Sequence, residues 1–314
     1  MSFILHRKSE DFDELLDGVR DWDIDLTLLQ SGEFQGSILQ YCVNGAVYNE
    51  GVASKNIMLQ GGTPPGTVSL LFAEKQHARM KWQGKSLTGE YVMTLPGSSE
   101  FSKVIAGGCR TFSMSFSEEH LDHLAYELGV PALEALLQNE VFRCEPQYLA
   151  PIAADIMRLN GALRESPELI NNFRAQELLG RELPMRIMDL ISRERAVRVK
   201  ASGTKRARAL RLAVSFLNEA SPEDMTVGAL VDVTEVSQRT LQYTFLDAFG
   251  LSPKAYLTTL RLHGAYRSLK SADPARIKVA DVANFWEFWH MGQFAADYRK
   301  QFGELPSDTL LKNG

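Results

Sequence analysis

Histidine and cysteine are the residues of this 314-residue chain that could hold a metal or act as a nucleophile. A site for a first-row metal needs three or four nitrogen or oxygen ligands that converge. The strand-rich part of the sequence holds only His77, and His120 with His123 lies among acidic residues, where a solvated helix face is favoured. The pattern predicts no metal and no other cofactor.

Cys109 stands beside Arg110, and a neighbouring cation can stabilise a thiolate. No histidine partner for it is identifiable, so a core cysteine is favoured over a catalytic one. The three cysteines are an odd number without CxxC spacing, which indicates neither a disulfide framework nor a zinc knuckle. The sequence therefore predicts a protein that is not an enzyme.

Length and charge indicate how the chain is organised. At roughly 100 to 200 residues per domain, 314 residues predict two domains. No apolar run is long enough for a membrane span and no signal peptide is recognisable, so we expect a soluble, cytoplasmic protein with no membrane contact. The net charge is -5, but the segment from Lys205 onward carries 14 basic and 12 acidic residues, a net of +2. The C-terminal third is thus relatively basic.

The N-terminal part changes from a strand pattern to a helix pattern. Short β-branched and aromatic runs separated by turn residues predict an antiparallel sandwich or barrel over about 20–116. Helices are predicted over about 117–195: one begins at the N-cap Ser117, and others cover 131–137, 146–163 and 167–191. The last begins at Ser166 and Pro167, and Pro184 is expected to kink it or split it in two. We place a first domain at 1–201, with the boundary near Ser202 and Gly203.

Two groups of apolar residues in this first domain have two interpretations each. One group on the last helix fits either a packed core or a dimer contact: Leu178, Leu179, Leu183, Met185, Ile187, Met188 and Ile191. The aromatic residues of the strands either line a pocket for a small molecule or fill the barrel as core: Tyr41, Tyr48, Phe72, Trp82, Tyr91 and Phe112. Trp22, which precedes them, is expected to cover the barrel mouth.

The second domain, 202–314, contains an internal repeat. TLQYTFLDAFGLSP from Thr240 and QFAADYRKQFGELP from Gln293 align at an offset of 53 residues. Each copy fits a short helix, a turn and a longer helix ended by glycine, which predicts two helix-turn-helix units at 226–250 and 277–303. A helix from Lys254 to about Ser271 joins them. Recognition helices held ~34 Å apart would meet successive major grooves of DNA.

The outward residues of the two longer helices are the candidates for contact with base edges. In the first unit they are Gln238, Arg239, Gln242 and Tyr243, since Gln pairs with adenine and Arg with guanine. In the second unit they are His290, Met291, Gln293 and Ala296, a face poor in donors that favours thymine methyl contacts or phosphate anchoring. The phosphate candidates are Lys254, Arg261, Arg267, Arg299 and Lys300.

Two segments resemble the AraC/XylS family of bacterial transcription regulators: VSQRTLQYTFLDAFGLSPKAYLTTLRLHGAYRSL and VADVANFWEFWHMGQFAADYRKQFGELP. In each segment the helix-turn-helix unit ends in FG-x-x-P. The resemblance covers Arg211 to about Leu310. It implies an α+β fold with a cupin-like β-barrel and a helical dimerisation segment before an all-α DNA-binding domain. Glu287 departs from the family pattern, which usually has Gly there; a positive φ at this position would cost about 1 to 2 kcal/mol.

The resemblance also implies promoter DNA as partner, activation through RNA polymerase and a homodimer, with a small-molecule effector of unknown identity. The function predicted is a sequence-specific transcription regulator, an activator, controlled through its N-terminal sensor domain. Two alternatives stay open. One is a constitutive regulator whose barrel only dimerises or binds protein partners, and the other is a metal-free cupin enzyme fused to a DNA anchor.

Overall fold

The computed structural model describes residues 3–74, 80–82, 85–87, 90–129, 140–192, 196–198 and 205–312. Its strands precede most of its helices, and the elements described from Lys205 to Leu311 are all helices. The fold class predicted from the sequence, a strand-rich N-terminal domain followed by an all-α domain with two helix-turn-helix units, is confirmed.

The strands form two antiparallel sheets. The strands are β1 (Phe3–Ser9), β2 (Asp23–Leu28), β3 (Gly36–Val43), β4 (Ala46–Ala53), β5 (Ile57–Gly62), β6 (Thr67–Ala73), β7 (Met80–Trp82), β8 (Lys85–Leu87), β9 (Glu90–Pro96), β10 (Glu100–Ile105), β11 (Arg110–Ser117), β12 (Glu140–Cys144) and β13 (Ala196–Arg198). One sheet has the order β1-β3-β4-β11-β6-β9-β12-β13, and the other β2-β5-β10-β7-β8. Leu71 and Leu95 of the first pack against Phe101 of the second, so the sheets face each other.

Helices flank the larger sheet and make up the second domain. They are α1 (Glu118–Leu128), α2 (Pro146–Glu165), α3 (Phe173–Glu177), α4 (Leu183–Ser192), α5 (Lys205–Glu219), α6 (Val227–Thr234), α7 (Gln238–Phe249), α8 (Pro253–Ser271), α9 (Val279–Phe285), α10 (Met291–Phe302) and α11 (Pro306–Leu311). Ser117 caps α1 by accepting a hydrogen bond from the His120 amide, as its position in the sequence predicts. Within the described residues, no helix is both long and apolar enough to cross a membrane.

The larger sheet buries one of its faces against α1, α2 and α4. Strand residues on this face, among them Tyr41, Phe72 and Phe112, share one apolar cluster with Leu179 and Ile187. The apolar residues of 178–191 therefore serve this core: Leu179, Leu183 and Ile187 are fully buried. Of the two interpretations left open by the sequence, the structure favours the packed core for these three.

The structure differs from the sequence prediction at several places in the first domain. Three short or peripheral strands, β1, β12 and β13, join the larger sheet from outside the predicted span 20–116. Their patterns are brief, and β1 carries charged residues because it is an edge strand whose partner among the described strands is β3. The predicted helix 131–137 and the boundary at Ser202 and Gly203 lie outside the described residues, as does His77.

The helix predicted over 167–191 is divided into pieces. Pro167–Asn171 forms a 3₁₀ turn, and Ser166 makes no capping hydrogen bond to it. Asn172 is the N-cap of α3 instead, and its side chain accepts from the amides of Arg174 and Ala175. A π-helical turn over Leu178–Glu182 then leads into α4, whose second residue is Pro184. The proline thus lies in the first turn of a new helical segment, where its missing N–H is tolerated.

The two facing sheets of the first domain are called the barrel below. The barrel and the helical domain share an apolar core. Phe12, Leu26 and Leu28 of the first domain cluster with Leu262 and Leu269 of α8, and Phe12 lies 4.9 Å from the ring of Tyr266. Around this core, Lys270 pairs with Asp11 at 2.7 Å and Arg267 with Asp13 at 3.0 Å. The second domain is therefore docked onto the first by apolar packing that is rimmed with ion pairs.

Candidate DNA interface

The first helix-turn-helix unit is built by caps at both ends of its recognition helix α7. Ser237 accepts a hydrogen bond from the Thr240 amide at 3.3 Å, and Gly250 ends the helix with a φ of +72°. Leu241 and Phe245 are fully buried against α5, α6 and α8. Burial of this face leaves the opposite face of α7 in solvent.

The four base-edge candidates of α7 lie together on that solvent face. Gln238, Arg239, Gln242 and Tyr243 are all exposed and occupy the first two turns of the helix. The guanidinium of Arg239 lies 5.6 Å from the Tyr243 ring, and its NH2 donates to the phenol oxygen at 3.4 Å. This contact is a cation–π interaction that holds the arginine along the helix surface. The group offers amide, guanidinium and hydroxyl donors side by side.

Arg206 is a further cation at this face that the sequence prediction did not include. It lies at the start of α5, and its guanidinium is 5.9 Å from the Tyr243 ring, so two arginines flank one tyrosine. The basic run KRARALR from Lys205 was the available signal. Only the tertiary contact between α5 and α7 assigns Arg206, rather than its neighbours in that run, to the recognition surface.

The second unit has a different surface chemistry. Gln293 of α10 donates to Asp297 at 2.9 Å, and Met291 is half-buried against the core, while His290 and Ala296 are exposed. Arg299 and Lys300 are exposed near the other end of α10. The structure thus brings few donors together here, in agreement with the composition of this face.

Aromatic residues before α10 are prominent and were also absent from the sequence prediction. Phe285 is 64% exposed and Trp289 is 66% exposed, the indole N–H donating to Glu287 at 3.2 Å. Glu287 itself has a φ of +65°, so the strained conformation anticipated for this turn is present. Exposed aromatic side chains of this kind suit apolar contact rather than hydrogen-bonded recognition.

The five phosphate candidates are placed in different environments. Lys254 is exposed at the start of α8. Arg261 donates to the carbonyl oxygens of Pro222 and Met225, at 3.0 and 3.2 Å, and so ties α8 to the loop before α6. Arg267 pairs with Asp13 and Asp25 of the first domain. Arg261 and Arg267 thus have protein partners in this arrangement, whereas Lys254, Arg299 and Lys300 face solvent.

The barrel contacts the ends of the recognition helices that are remote from these exposed residues. Lys81 donates to the carbonyl oxygen of Asp247 near the end of α7. At the end of α10, Gln301 donates to the Leu28 carbonyl at 3.0 Å, and its own carbonyl accepts from the Gly32 amide at 3.1 Å. Both recognition helices are thus held at their C-terminal ends while their N-terminal turns stay accessible.

A buried histidine completes this contact in the middle of α8. His263 Nε2 accepts a hydrogen bond from the Leu28 amide at 3.1 Å, and its ring lies 4.6 Å from Phe12. Burial, reinforced by the positive charge of Arg267, lowers the pKa of His263 to about 3. The imidazole is neutral at pH 7, as its role as hydrogen-bond acceptor requires.

The six aromatic pocket candidates do not converge on one space. Tyr41 and Tyr48 stack at 5.2 Å and, with Phe72 and Phe112, lie on the sheet face that is packed against helices. Trp82 and Tyr91 belong to a second cluster between the sheets. A cavity of about 510 Å³ between the two domains is lined instead by residues that include Lys81, Phe101, Arg211 and Phe249.

The structure also shows the environments of the histidines and cysteines that could do chemistry. His120 contacts the Gly180 carbonyl at 2.7 Å, and His123 pairs with Glu127 at 3.4 Å. Cys109 is buried, and that burial raises the pKa of its thiol, the opposite of what an activated thiolate needs. In the part of the chain that the structure describes, no three His, Cys, Asp or Glu side chains are grouped so that they could hold a metal ion.

Comparison with known proteins places this interface in a family. A helix-turn-helix domain family matches residues 230–312. The probable thc operon regulatory protein of Rhodococcus erythropolis is 37% identical over 101 residues, which cover 32% of this chain and 30% of that protein. The XylDLEGF operon transcriptional activator of Pseudomonas putida is 32% identical over 97 residues, 31% of this chain and 30% of that protein.

The chain is also similar to a solved structure. The probable AraC family transcriptional regulator from Rhodopseudomonas palustris is 31% identical and covers 33% of this chain and 96% of its own, with a TM-score of 0.30. The chain spans about 30% of the length of each of the two curated relatives, and the matched residues fall in the helical domain. The C-terminal helical domain of this chain thus matches a helix-turn-helix domain family and is similar to known transcription regulators.

Proposed function

We propose that this protein is a sequence-specific DNA-binding transcription regulator that contacts two successive major grooves with α7 and α10. The observation that carries the proposal is the orientation of the two units. Each recognition helix presents exposed N-terminal turns to solvent while the barrel contacts its C-terminal end. N-terminal residues of a recognition helix are the ones that contact base edges in helix-turn-helix complexes.

The two units contribute different kinds of contact to DNA. The first supplies base specificity, since Arg239 can donate two hydrogen bonds to guanine, and Gln238 and Gln242 can pair with adenine. The second supplies apolar contacts and charge, from exposed Ala296 on the helix face and from Arg299 and Lys300. Phosphate contacts by these cations and by Lys254 position the protein without specifying a sequence.

The first domain regulates this DNA contact. The barrel touches α8 and both recognition helices, so any change in its structure alters the relative orientation of the two units. Activation through RNA polymerase is proposed because a curated relative is named a transcriptional activator. A homodimer is proposed through the first-domain helices, where Tyr126 is 87% exposed and Phe173 is 76% exposed. The cytoplasm, where promoter DNA is accessible, is the proposed location.

Arg239→Ala tests the proposal, with exposed Arg174→Ala on α3 as the matched control. Binding of the full-length protein to its upstream DNA and to single-base variants of the site should show that Arg239→Ala loses about 1 to 3 kcal/mol and no longer distinguishes one base pair. Arg174→Ala should bind as the wild type does. Equal loss on every sequence would make Arg239 a phosphate contact, and no effect would remove α7 from the interface.

A further inference from the structure

The helix α8, which joins the two helix-turn-helix units, has a glycine in its interior. Gly264 lies well inside Pro253–Ser271, where glycine costs more backbone entropy than alanine and packs no side chain. A Cβ built on Gly264 would overlap three carbon atoms of the Trp286 ring. At Gly161 of α2, the same atom would meet no described neighbour within 4 Å outside its own helix. The missing side chain of Gly264 therefore makes room for one particular ring.

Trp286 enters this space from the turn between α9 and α10. The residue is half-buried, and its indole N–H donates to the Ser268 hydroxyl at 2.9 Å. Ser268 follows Gly264 by one turn on the same face of α8. A ring that fills a gap and also makes a directional hydrogen bond is held in one orientation. Gly264 and Ser268 together form what we call the tryptophan seat.

The first unit is attached to the same face of α8. Arg261 precedes the tryptophan seat by one turn and donates to the carbonyl oxygens of Pro222 and Met225, in the loop before α6, at 3.0 and 3.2 Å. Trp286 itself packs against two apolar clusters, of which one contains buried residues of α7 and the other buried residues of α10. One face of α8 therefore carries an attachment for each unit, and Trp286 contacts the cores of both.

The turn that carries Trp286 also fixes the recognition helix of the second unit. The Phe288 amide donates to the Ala283 carbonyl of α9 at 2.9 Å, and the Phe288 ring lies 4.9 Å from the ring of Phe294 on α10. Phe294 is fully buried, and α10 begins at Met291, only five residues after Trp286. A shift of the tryptophan ring is therefore transmitted to α10 through a short and tightly packed segment.

We propose that the fit of Trp286 into the tryptophan seat sets the distance and rotation between α7 and α10, and thereby the number of base pairs between the two DNA segments that the protein binds. This inference rests on the proposed function. Gly264 and Trp286 act as positioning residues, and neither has to touch DNA. One added base pair moves the second segment by about 3.4 Å and turns it by about 34°. The second unit can follow such a change only if the ring leaves its seat.

Binding of the full-length protein to its own upstream site, and to sites with one base pair added or removed between the two segments, tests the proposal. The wild type should bind the natural spacing about tenfold more tightly than either altered spacing. Trp286→Leu removes the ring but keeps an apolar side chain. It should narrow the preference to about threefold or less and bind the altered spacings more tightly than the wild type does. A second unit that had merely unfolded would not gain affinity for any site.

Gly264→Ala provides a second measurement on the same DNA. It should lower the affinity for the natural spacing about fivefold or more, because the added methyl group displaces the ring, and leave binding to DNA with only the first segment unchanged. In the Trp286→Leu background the same substitution should change the affinity by less than about twofold, since no ring is left to displace. Gly161→Ala is the matched control and should bind like the wild type. Circular dichroism verifies that each variant is folded.

Three results would overturn the proposal: a Trp286→Leu protein that keeps the full spacing preference, one that gains no affinity for the altered spacings, or a Gly264→Ala loss that is the same with and without the ring. Each of these results leaves the proposed function intact, because the wild type still binds both segments. A wild-type protein that binds no upstream DNA, or only one segment, would instead refute the proposed function, and this is known before any variant is measured.

Discussion

Acid should weaken the contact between the two domains, because that contact encloses His263 as a neutral imidazole. The pKa of this group is about 3 in the folded protein, against an ordinary value of 6.5. His263 therefore takes up a proton in the folded protein only when the pH approaches 3. In the unfolded chain it takes up a proton near pH 6.5. Stability from this group is fully present above pH 6.5 and is lost progressively as the pH falls toward 3.

The size of the effect follows from the two pKa values. At pH 5, which is about 1.5 units below the ordinary histidine pKa of 6.5, protonation of His263 stabilises the unfolded chain but not the folded protein. At about 1.36 kcal/mol per unit, the free energy of unfolding falls by about 2 kcal/mol between pH 7 and pH 5. His263→Gln removes the titration and retains an acceptor for the Leu28 amide.

Urea unfolding of the full-length protein at pH 7 and pH 5 measures this effect. The wild type should lose about 2 kcal/mol more than His263→Gln over this interval. His123→Gln, a change at an exposed histidine on α1, should follow the wild type. An identical pH dependence for the wild type and His263→Gln would refute the argument that His263 is buried and neutral at the interface.

Three further predictions concern single residues of the helical domain. Glu287→Gly should stabilise the protein by about 1 kcal/mol in urea unfolding, since φ is +65° there, and a decrease would contradict the strain. Gly264→Ala should destabilise it by about 1 to 3 kcal/mol, because a Cβ would lie 2.1 Å from the Trp286 ring, whereas the control Gly161→Ala has open space and should be neutral or stabilising. Arg206→Ala should weaken DNA binding equally on all sequences and reduce the salt slope by about one, and a sequence-dependent loss would make it a base contact instead.

The helix-turn-helix units could be predicted from the sequence because their determinants are local. Ser237 and Gly250 are the caps of α7, and Gly303 ends α10 with a φ of +84°. Each of these helix ends is therefore determined by residues that are adjacent in the chain. The apolar residues Leu241 and Phe294 occupy equivalent positions in the two copies and are both buried. Local signals of this kind fix helix ends, and a repeated pattern confirms them independently.

The docking of the two domains could not be predicted in this way. Lys270 pairs with Asp11, which is 259 residues away, and Tyr266 donates to the same carboxylate at 2.7 Å. An arginine such as Arg267, on the exposed side of an isolated α8, is equally suited to phosphate and to Asp13. Only the tertiary structure distinguishes these partners, which explains why the sequence suggested phosphate for a residue that faces the barrel.

The assignment of faces in the barrel was limited for a related reason. Alternation along a strand shows that Phe112 and Ser113 point in opposite directions, but it does not show which direction is the barrel interior. The apolar side, with Phe72 and Phe112, faces the helices, and the side with Ser113 faces the opposite sheet. The sequence pattern therefore could not decide whether these aromatic residues line the interior or pack against the helices.

Footprinting of the full-length protein on its own upstream DNA, across a salt series, tests the central claim most directly. The account predicts protection of two major-groove segments about one helical turn apart. Arg239→Ala should weaken protection at one of them and relax its base preference. Protection of a single segment, or protection that is the same on unrelated DNA at every salt concentration, would contradict a tandem sequence-specific interface.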